Sequence, residues 1–437
     1  MKEQFLARMK RYLQDEYPAF IQSYEKPLLR ALRYNPKKPM TKLPNLVQSP
    51  FCEESYYVNE TLGNHAGHIL GCFYLQEPSA ASAVTILDVQ KSDVVLDLCA
   101  APGGKSTQIA SRLEDGFLVT NEIDKKRAQI LLSNLERYGV ENFLLTSMDT
   151  KKLCSAYKNC FDKILVDAPC SGEGMMKKHD AASQRWSQDN VDFCAKRQKE
   201  ILANAYMALK KDGYLVYSTC TYAKEENEEV VTWFLENYPD MQLCPPNVSF
   251  GRPGYLKDTL RVFPMDGGEG HFVAKFKKRE GSVANLPLLK DKAVPGFVET
   301  FFKEQLGFVP KHLYMQKDQV YVMDHPFVDT KKVNDIRQGI LAGECKKNRF
   351  EPAHAFYMNA AWIDTFQKKW DVSLEEMDAY MHGNTIPCTL EKGYYALCFQ
   401  NIPFGFGKCD GQTMKNKIPK GLRLLPNSHV FAERKPI

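Results

Sequence analysis

Between about residues 85 and 277, short apolar runs alternate with stretches whose apolar residues recur at helical spacing. The runs are DVVLDLC, GFLVTNE, NFLLTSMD, FDKILVDAP and GYLVYSTC. They lack the alternating polarity of a sheet with one wet face, and strands that are apolar throughout belong to parallel sheets with helices on both faces. The pattern therefore predicts an α/β core. NEEVVTWFLENYP is its last helix, with Lys224, Glu225 and Glu226 just ahead of it, where acids favour the helix dipole. A hairpin follows in LRVFPMDGGEGHFVAKF, and KFKKREGSV closes the unit as a linker. Upstream, Phe5, Met9 and Leu13 share one helical face, and EKPLLRALRYNP reads as a second short helix that stops before Pro36. Downstream the chain is aromatic and mixed, ending in the basic, Gly-interrupted stretch FGFGKCDGQTMKNKIPKGLRLL, which reads as short strands. The expected divisions are 1–75, 76–280 and 283–437.

Composition narrows the class. At 437 residues the chain suits two or three domains, and 44% hydrophobic with 25% charged residues is ordinary for a folded protein. A net charge of +5 permits a polyanionic partner without requiring one. Thirteen cysteines without a C-x-x-C pair indicate neither a disulfide framework nor a paired-knuckle zinc site. The N-terminus lacks the apolar core of a signal peptide, and no stretch reaches the roughly 20 apolar residues of a membrane span. The expectation is a soluble, cytoplasmic, monomeric protein that uses neither metal nor membrane.

The candidate chemistry lies at the ends of the runs. Four carry acids there, Asp97, Glu122, Asp149 and Asp167, and the fifth carries Cys220. Ligands of open α/β sheets bind outside those ends. After the first run, Cys99, Ala100, Ala101, Pro102, Gly103, Gly104 and Lys105 form a small-residue turn into a helix, with room for a group such as adenosine. Glu122 is placed to accept from two ribose hydroxyls, and Asp149 lies where an adenine amine would be. A glycine turn and strand-end acids are also what any α/β protein tolerates, so the series of acids carries the weight. Cys170, in DAPCSG, and Cys220, in STCTY, follow two different runs. Two such thiols suit methylation of cytosine carbon 5: a thiolate adds to carbon 6, carbon 5 gains enamine character towards S-adenosylmethionine, and elimination frees the enzyme. Asp167 is the acid candidate near the ring nitrogen, and Lys105 is the nearest cation to activate a thiol. Either cysteine can be the nucleophile on this evidence, since Cys170 follows Pro169 as in the DNA cytosine enzymes.

DLCAAPGGKSTQIA, TNEID, DAPCSGEGMM and STCTYAKEENEEVV resemble the motifs of the Nop/Sun class of RNA cytosine carbon-5 methyltransferases, over about residues 55–277. The resemblance implies a Rossmann-like methyltransferase core and a small-subunit (16S) ribosomal RNA substrate. It also implies that Cys220 is the nucleophile and Cys170 assists release, with Cys99 to Lys105, Glu122, Asp149 and Asp167 around S-adenosylmethionine. The C-terminal region is similar to a PUA-like α+β RNA-binding module, with Lys408, Lys415, Lys417, Lys420, Arg423, Phe404 and Phe406 as contact candidates. The loop SGEGMMKKHDAASQRW offers Lys177, Lys178, Arg185 and Trp186 to phosphates and a stacked base. His65, His68 and Cys72 have metal-compatible spacing but read as packing beside the site. Competing readings are a tRNA cytosine methyltransferase, a non-catalytic RNA-binding assembly factor and a nicotinamide oxidoreductase. The last two leave the paired thiols without a role.

Overall fold

The computed structural model describes residues 3–177, 186–290 and 293–433. Helices Glu3–Leu13 and Tyr17–Glu25 lead into a small antiparallel sheet of β1 (Ala31–Tyr34), β2 (Ser55–Tyr57) and β3 (Phe73–Gln76), with β1 central. This corrects the helix expected in EKPLLRALRYNP. All four β1 residues are buried, and its backbone pairs on both edges, with β2 and β3. Burial on both faces overrides the helical spacing of Leu28, Leu29 and Leu32. Arg33 of β1 is 1% exposed, its guanidinium donating to the Tyr138 hydroxyl (2.8 Å), Thr107 Oγ1 (2.8 Å) and the Gly104 carbonyl (3.1 Å). The small sheet is thereby clamped onto the turn that follows the first core strand.

The core sheet has ten strands, with β9 (Met241–Cys244) paired to β12 off the main path. Its parallel centre contains β4 (Val94–Asp97), β5 (Phe117–Asn121), β6 (Phe143–Thr146), β7 (Phe161–Asp167) and β8 (Leu209–Thr219), the five runs read from the sequence. Antiparallel β12 (His271–Lys278) follows beside β8, then β11 (Thr259–Val262) and β10 (Arg252–Pro253). Alternate residues feed two cores, Leu96, Val119, Ile164 and Val166 to one face and Val95, Leu118, Leu145 and Leu165 to the other. The predicted last helix forms over Glu228–Asn237. The strand order reverses between β4 and β7, so a crevice opens where the chain leaves them.

The remaining chain forms a four-stranded sheet, β13 (His312–Gln316), β14 (Gln319–Met323), β16 (Ile340–Lys346) and β17 (Arg349–Pro352). A five-stranded sheet comprises β18 (Lys369–Asp371), β19 (Ile386–Pro387), β20 (Gly393–Phe399), β21 (Ile402–Cys409) and β22 (Thr413–Asn416). One segment returns to the core: β15 (Asp335–Gln338) pairs antiparallel with β6 and ends the central sheet. No helix among the described residues is long and apolar enough to cross a membrane.

Candidate active site

At the switch point lies a cleft of about 390 Å³, lined by Cys99, Ala101, Glu122, Asp149, Asp167, Cys170 and Cys220 among others. The first strand-end acid is not in it. Asp97 is fully buried and accepts from Ser106 Oγ at 2.6 Å, while its other oxygen has no partner. Burial pushes its carboxyl up to about 7. Asp97 therefore anchors the turn from below.

Cys170 and Cys220 arrive from β7 and β8 with their sulfurs 3.3 Å apart. The hydrogen bond to Cys220, with burial, raises the Cys170 thiol well above its ordinary range. Asp167 meets Lys105 Nζ at 2.9 Å through Oδ2 and accepts from Ser218 Oγ at 2.7 Å through Oδ1. Burial by itself raises Asp167; the Lys105 ammonium, with His271 and Ser218, more than reverses this and holds the carboxyl below the usual range. Lys105 is likewise opposed by burial and raised on balance by Asp167 and, less, by Cys220. The cation named from the sequence thus bonds directly to the acid and acts on the thiol through space.

A buried network that the sequence reading missed holds the cysteine loop. Glu226, read as a helix-dipole acid, precedes the helix and is 0% exposed. It accepts from the Ser171 amide (2.9 Å), the Ser171 hydroxyl and Gln198 Nε2 (2.8 Å). Asn227 accepts from Thr219 Oγ1 at 2.6 Å and donates to the Thr221 carbonyl at 2.9 Å, so the residues flanking Cys220 are pinned too. The only sequence signal was the density of polar residues in KEENEE, which also fits a solvated helix start.

On the other side of the cleft, Glu122 at the end of β5 is 4% exposed, with Oε1 on the Asp124 amide (3.0 Å) and Oε2 near Arg127 (3.3 Å). Arg127 also holds the Ala101 carbonyl at 2.8 Å. Asp149 caps the helix Thr150–Ala156 through the amides of Lys151 and Lys152. Of the small-residue turn only Cys99 and Ala101 line the cleft; Ala100, Pro102, Gly103, Gly104 and Lys105 do not. Gly103 has φ of +113°, and a Cβ there would stand 2.9 Å from Leu131; one on Gly104 would stand 3.2 Å from Tyr74 and Gln76. The glycines are accounted for by close packing and chain reversal. The helix Gln188–Ala208 supplies Arg197, Glu200 and Asn204 to the wall, unforeseen residues spaced three and four apart on one face.

Three outlying expectations change. Trp186 is 3% exposed, donates to buried Glu173 at 2.7 Å and packs against Phe5 and Arg8, so it is not available to stack on a base. Lys177 is engaged by the Pro27 carbonyl (3.2 Å) and Glu269 (3.7 Å), while Lys178 and Arg185 lie outside the described residues. In the C-terminal sheet and the segment after it, Lys408, Lys415, Lys417, Lys420 and Arg423 are exposed, but Phe404 and Phe406 are buried at 1% and 4% as core. Two positions apart on β21, they enter different cores because the pairing with β20 shifts register at Phe404, so that Phe406 stacks on Tyr357 while Phe404 packs against Tyr380. His65 caps a short helix and faces the Ala432 carbonyl at 2.9 Å, His68 contacts Arg137, and Cys72 is buried.

Comparison with known proteins accounts for nearly the whole chain. The family described as 16S rRNA methyltransferase RsmB/F matches residues 84–277. The RsmF N-terminal domain matches 1–78, the RsmF first C-terminal domain 297–359 and the RsmF PUA domain 367–424. Ribosomal RNA small subunit methyltransferase F of Shewanella sp. (strain MR-4) is 32% identical over 92% of each chain. Its counterpart in Escherichia coli O157:H7 (strain EC4115 / EHEC) is 30% identical over 96% of this chain and 95% of the other. Among solved structures, a methyltransferase homolog protein from Pyrococcus horikoshii aligns with a TM-score of 0.57 at 28% identity, over 64% of this chain and 95% of that one. NSun6 from Pyrococcus horikoshii with SFG shares the fold, with a TM-score of 0.59 at 22% identity over 64% of this chain and 99% of that one. With its Rossmann-like core, N-terminal domain and PUA domain, the chain belongs to the RsmB/F family of 16S rRNA methyltransferases and is an RNA methyltransferase.

Proposed function

We propose that the protein methylates carbon 5 of a cytosine in small-subunit ribosomal RNA by covalent catalysis, with Cys220 as nucleophile and S-adenosylmethionine as methyl donor. The observation that carries this reading is the pair of sulfurs 3.3 Å apart in the cleft that Asp167 also lines. The cleft suits the donor: about 390 Å³ is within the range of nucleoside-sized sites, and the buried Glu122 carboxylate presents acceptors at its wall. Ala101, Asp149 and Cys99 complete that half, and Lys105 reaches it through Asp167. When bound, S-adenosylmethionine supplies an electrophilic methyl group.

The chain's own residues supply the rest. Cys220 gives its thiol proton to solvent water and its sulfur bonds to carbon 6, which makes carbon 5 electron-rich. Asp167 delivers a proton to ring nitrogen 3 and takes it back on elimination. Cys170, 3.3 Å from the nucleophile, assists once solvent water has taken the carbon-5 proton and the sulfur–carbon 6 bond breaks. The reading carries with it a cytoplasmic, monomeric enzyme whose exposed C-terminal cations hold RNA.

The test is a denaturing gel of enzyme with substrate RNA and S-adenosylmethionine. Cys220→Ala should give neither methylation nor adduct, and Cys170→Ala should accumulate a covalent enzyme–RNA species. An adduct in Cys220→Ala that is absent from Cys170→Ala reverses the two roles. Absence of adduct from both, in folded proteins, rejects covalent catalysis by these thiols and favours the assembly-factor reading.

A further inference from the structure

His271 opens β12, and its side chain is 4% exposed. The β12–β8 ladder pairs Phe272 with Thr219, so the next position places His271 opposite Cys220. Its Nδ1 lies 3.0 Å from the Gly270 carbonyl. A carbonyl only accepts, so Nδ1 carries a hydrogen and Nε2 is the atom that gains or loses a proton. Nε2 is buried without a hydrogen-bond partner and stands 4.0 Å from Asp167 Oδ1. The titratable groups around the ring are Lys105 on the helix after the turn, Asp167 on β7 and Glu77 after β3, with Cys220 after β8 at the facing position of the ladder.

This arrangement fits a gap in the proposed chemistry. Lys105 favours the ionised form of Asp167, yet delivery to nitrogen 3 requires a proton on that carboxyl. Ser218 already donates to Oδ1, but a serine hydroxyl does not exchange its proton in this range. An imidazole does.

We propose that His271 is a positioning residue for Asp167, holding on Nε2 the proton that Asp167 hands to the cytosine. As Cys220 adds to carbon 6, the Nε2–H bond breaks and an O–H bond forms at Asp167. That bond breaks in turn as N–H forms on the nitrogen 3 lone pair, while the carbon 5–carbon 6 π pair displaced by the sulfur moves to carbon 4–carbon 5 and the carbon 4–nitrogen 3 π pair comes to rest on nitrogen 3. Elimination runs the sequence backwards and returns the proton to Nε2, so no outside acid is consumed. A separation of 4.0 Å is closed by one water or by the tightening usual when substrate binds. Burial and then Lys105 lower the imidazole's affinity for its proton, so the loaded form grows as pH falls below the ordinary histidine range.

This role rests on the covalent reading, and the experiment separates the two. Single-turnover adduct formation is followed against pH in a Cys170→Ala background, with and without His271→Phe or His271→Gln. Both His271 substitutions should slow adduct formation at neutral pH by about tenfold or more and remove the imidazole break from the acid limb of the profile. Affinity for S-adenosylmethionine, by calorimetry, should stay within about twofold. An unchanged rate and break in either variant overturns the proposal, as does rescue by glutamine, which restores a polar side chain that cannot carry the proton. Imidazole nitrogen NMR gives a reading that needs no His271 variant: the titration of His271 in the wild-type chain is compared with that in folded Asp167→Asn, which should shift it, and a titration that ignores the change overturns the proposal. If the Cys170→Ala background forms no adduct at any pH, the assignment of Cys220 as nucleophile falls, and the NMR titration still decides the coupling of His271 to Asp167.

Discussion

Glu122 and Asp97 are both buried strand-end acids, yet their surroundings give them opposite duties. Glu122 reaches the cleft, where a ribose diol would gain two charge-assisted hydrogen bonds worth about 1.5–3 kcal/mol each. Glu122→Ala should weaken S-adenosylmethionine about tenfold or more by calorimetry, and unchanged affinity in a folded variant removes it from the site. Asp97 has no such outlet. Its folded carboxyl titrates at about 7 because burial opposes ionisation, far above an unfolded aspartate. Between those two values the folded state holds more protons than the unfolded one, so this group's contribution to stability falls as pH rises through the window. Asp97→Asn keeps an oxygen for Ser106 and removes the charge. Its melting temperature relative to the parent should therefore improve from pH 5 to pH 8; an offset independent of pH contradicts this account.

Two of the elements that tie the core to its neighbours show how few groups such a tie needs. Arg33 makes three hydrogen bonds from a fully buried position, two of them to the helix that starts at Gly104. Arg33→Met leaves the Tyr138 hydroxyl and the Gly104 carbonyl short of a donor, for a cost of about 3 kcal/mol in denaturant unfolding. Because that helix carries Lys105, the same change should also reduce methylation by more than the lost stability explains. At the other edge, β15 covers β6, and Tyr321, Met323, Phe327 and Val328 are buried in the core beside Leu153 and Tyr157. A chain ending at residue 282 loses that edge and part of that core. It should melt lower by at least about 4 °C, and a truncated chain as stable as the whole would show the contacts to be superficial.

Across the molecule, charge is divided from catalysis. The cleft at the centre of the sheet is mixed in sign, whereas the C-terminal sheet and the segment after it display Lys408, Lys415, Lys417, Lys420 and Arg423 to solvent. RNA binding should weaken with salt, and each of these cations that meets a phosphate should take about 0.7–0.9 from the slope of log affinity against log salt when changed to alanine. Cofactor affinity should not move. Slopes that stay the same in all five alanine variants would place the RNA elsewhere.

Periodicity was enough to place the five parallel strands, because an apolar run can be buried on two faces only inside a covered sheet. The motif residues were legible for a related reason: Asp167, Cys170 and Cys220 leave their strands at the same end, where side chains must meet. What lay beyond reach was anything set by a neighbour distant in the chain. EKPLLRALRYNP has helical spacing, and only pairing with β2 and β3 makes it a strand. Phe404, Phe406 and Trp186 are large aromatics in basic stretches, equally fit to stack on a base or to fill a core, and their partners settle the choice. Glu226 and His271 show no local sign of their position. Each is buried against the active-site loops by strands and helices tens of residues away, and that long-range burial, rather than residue type, makes one a brace for Ser171 and sets the other beside Asp167.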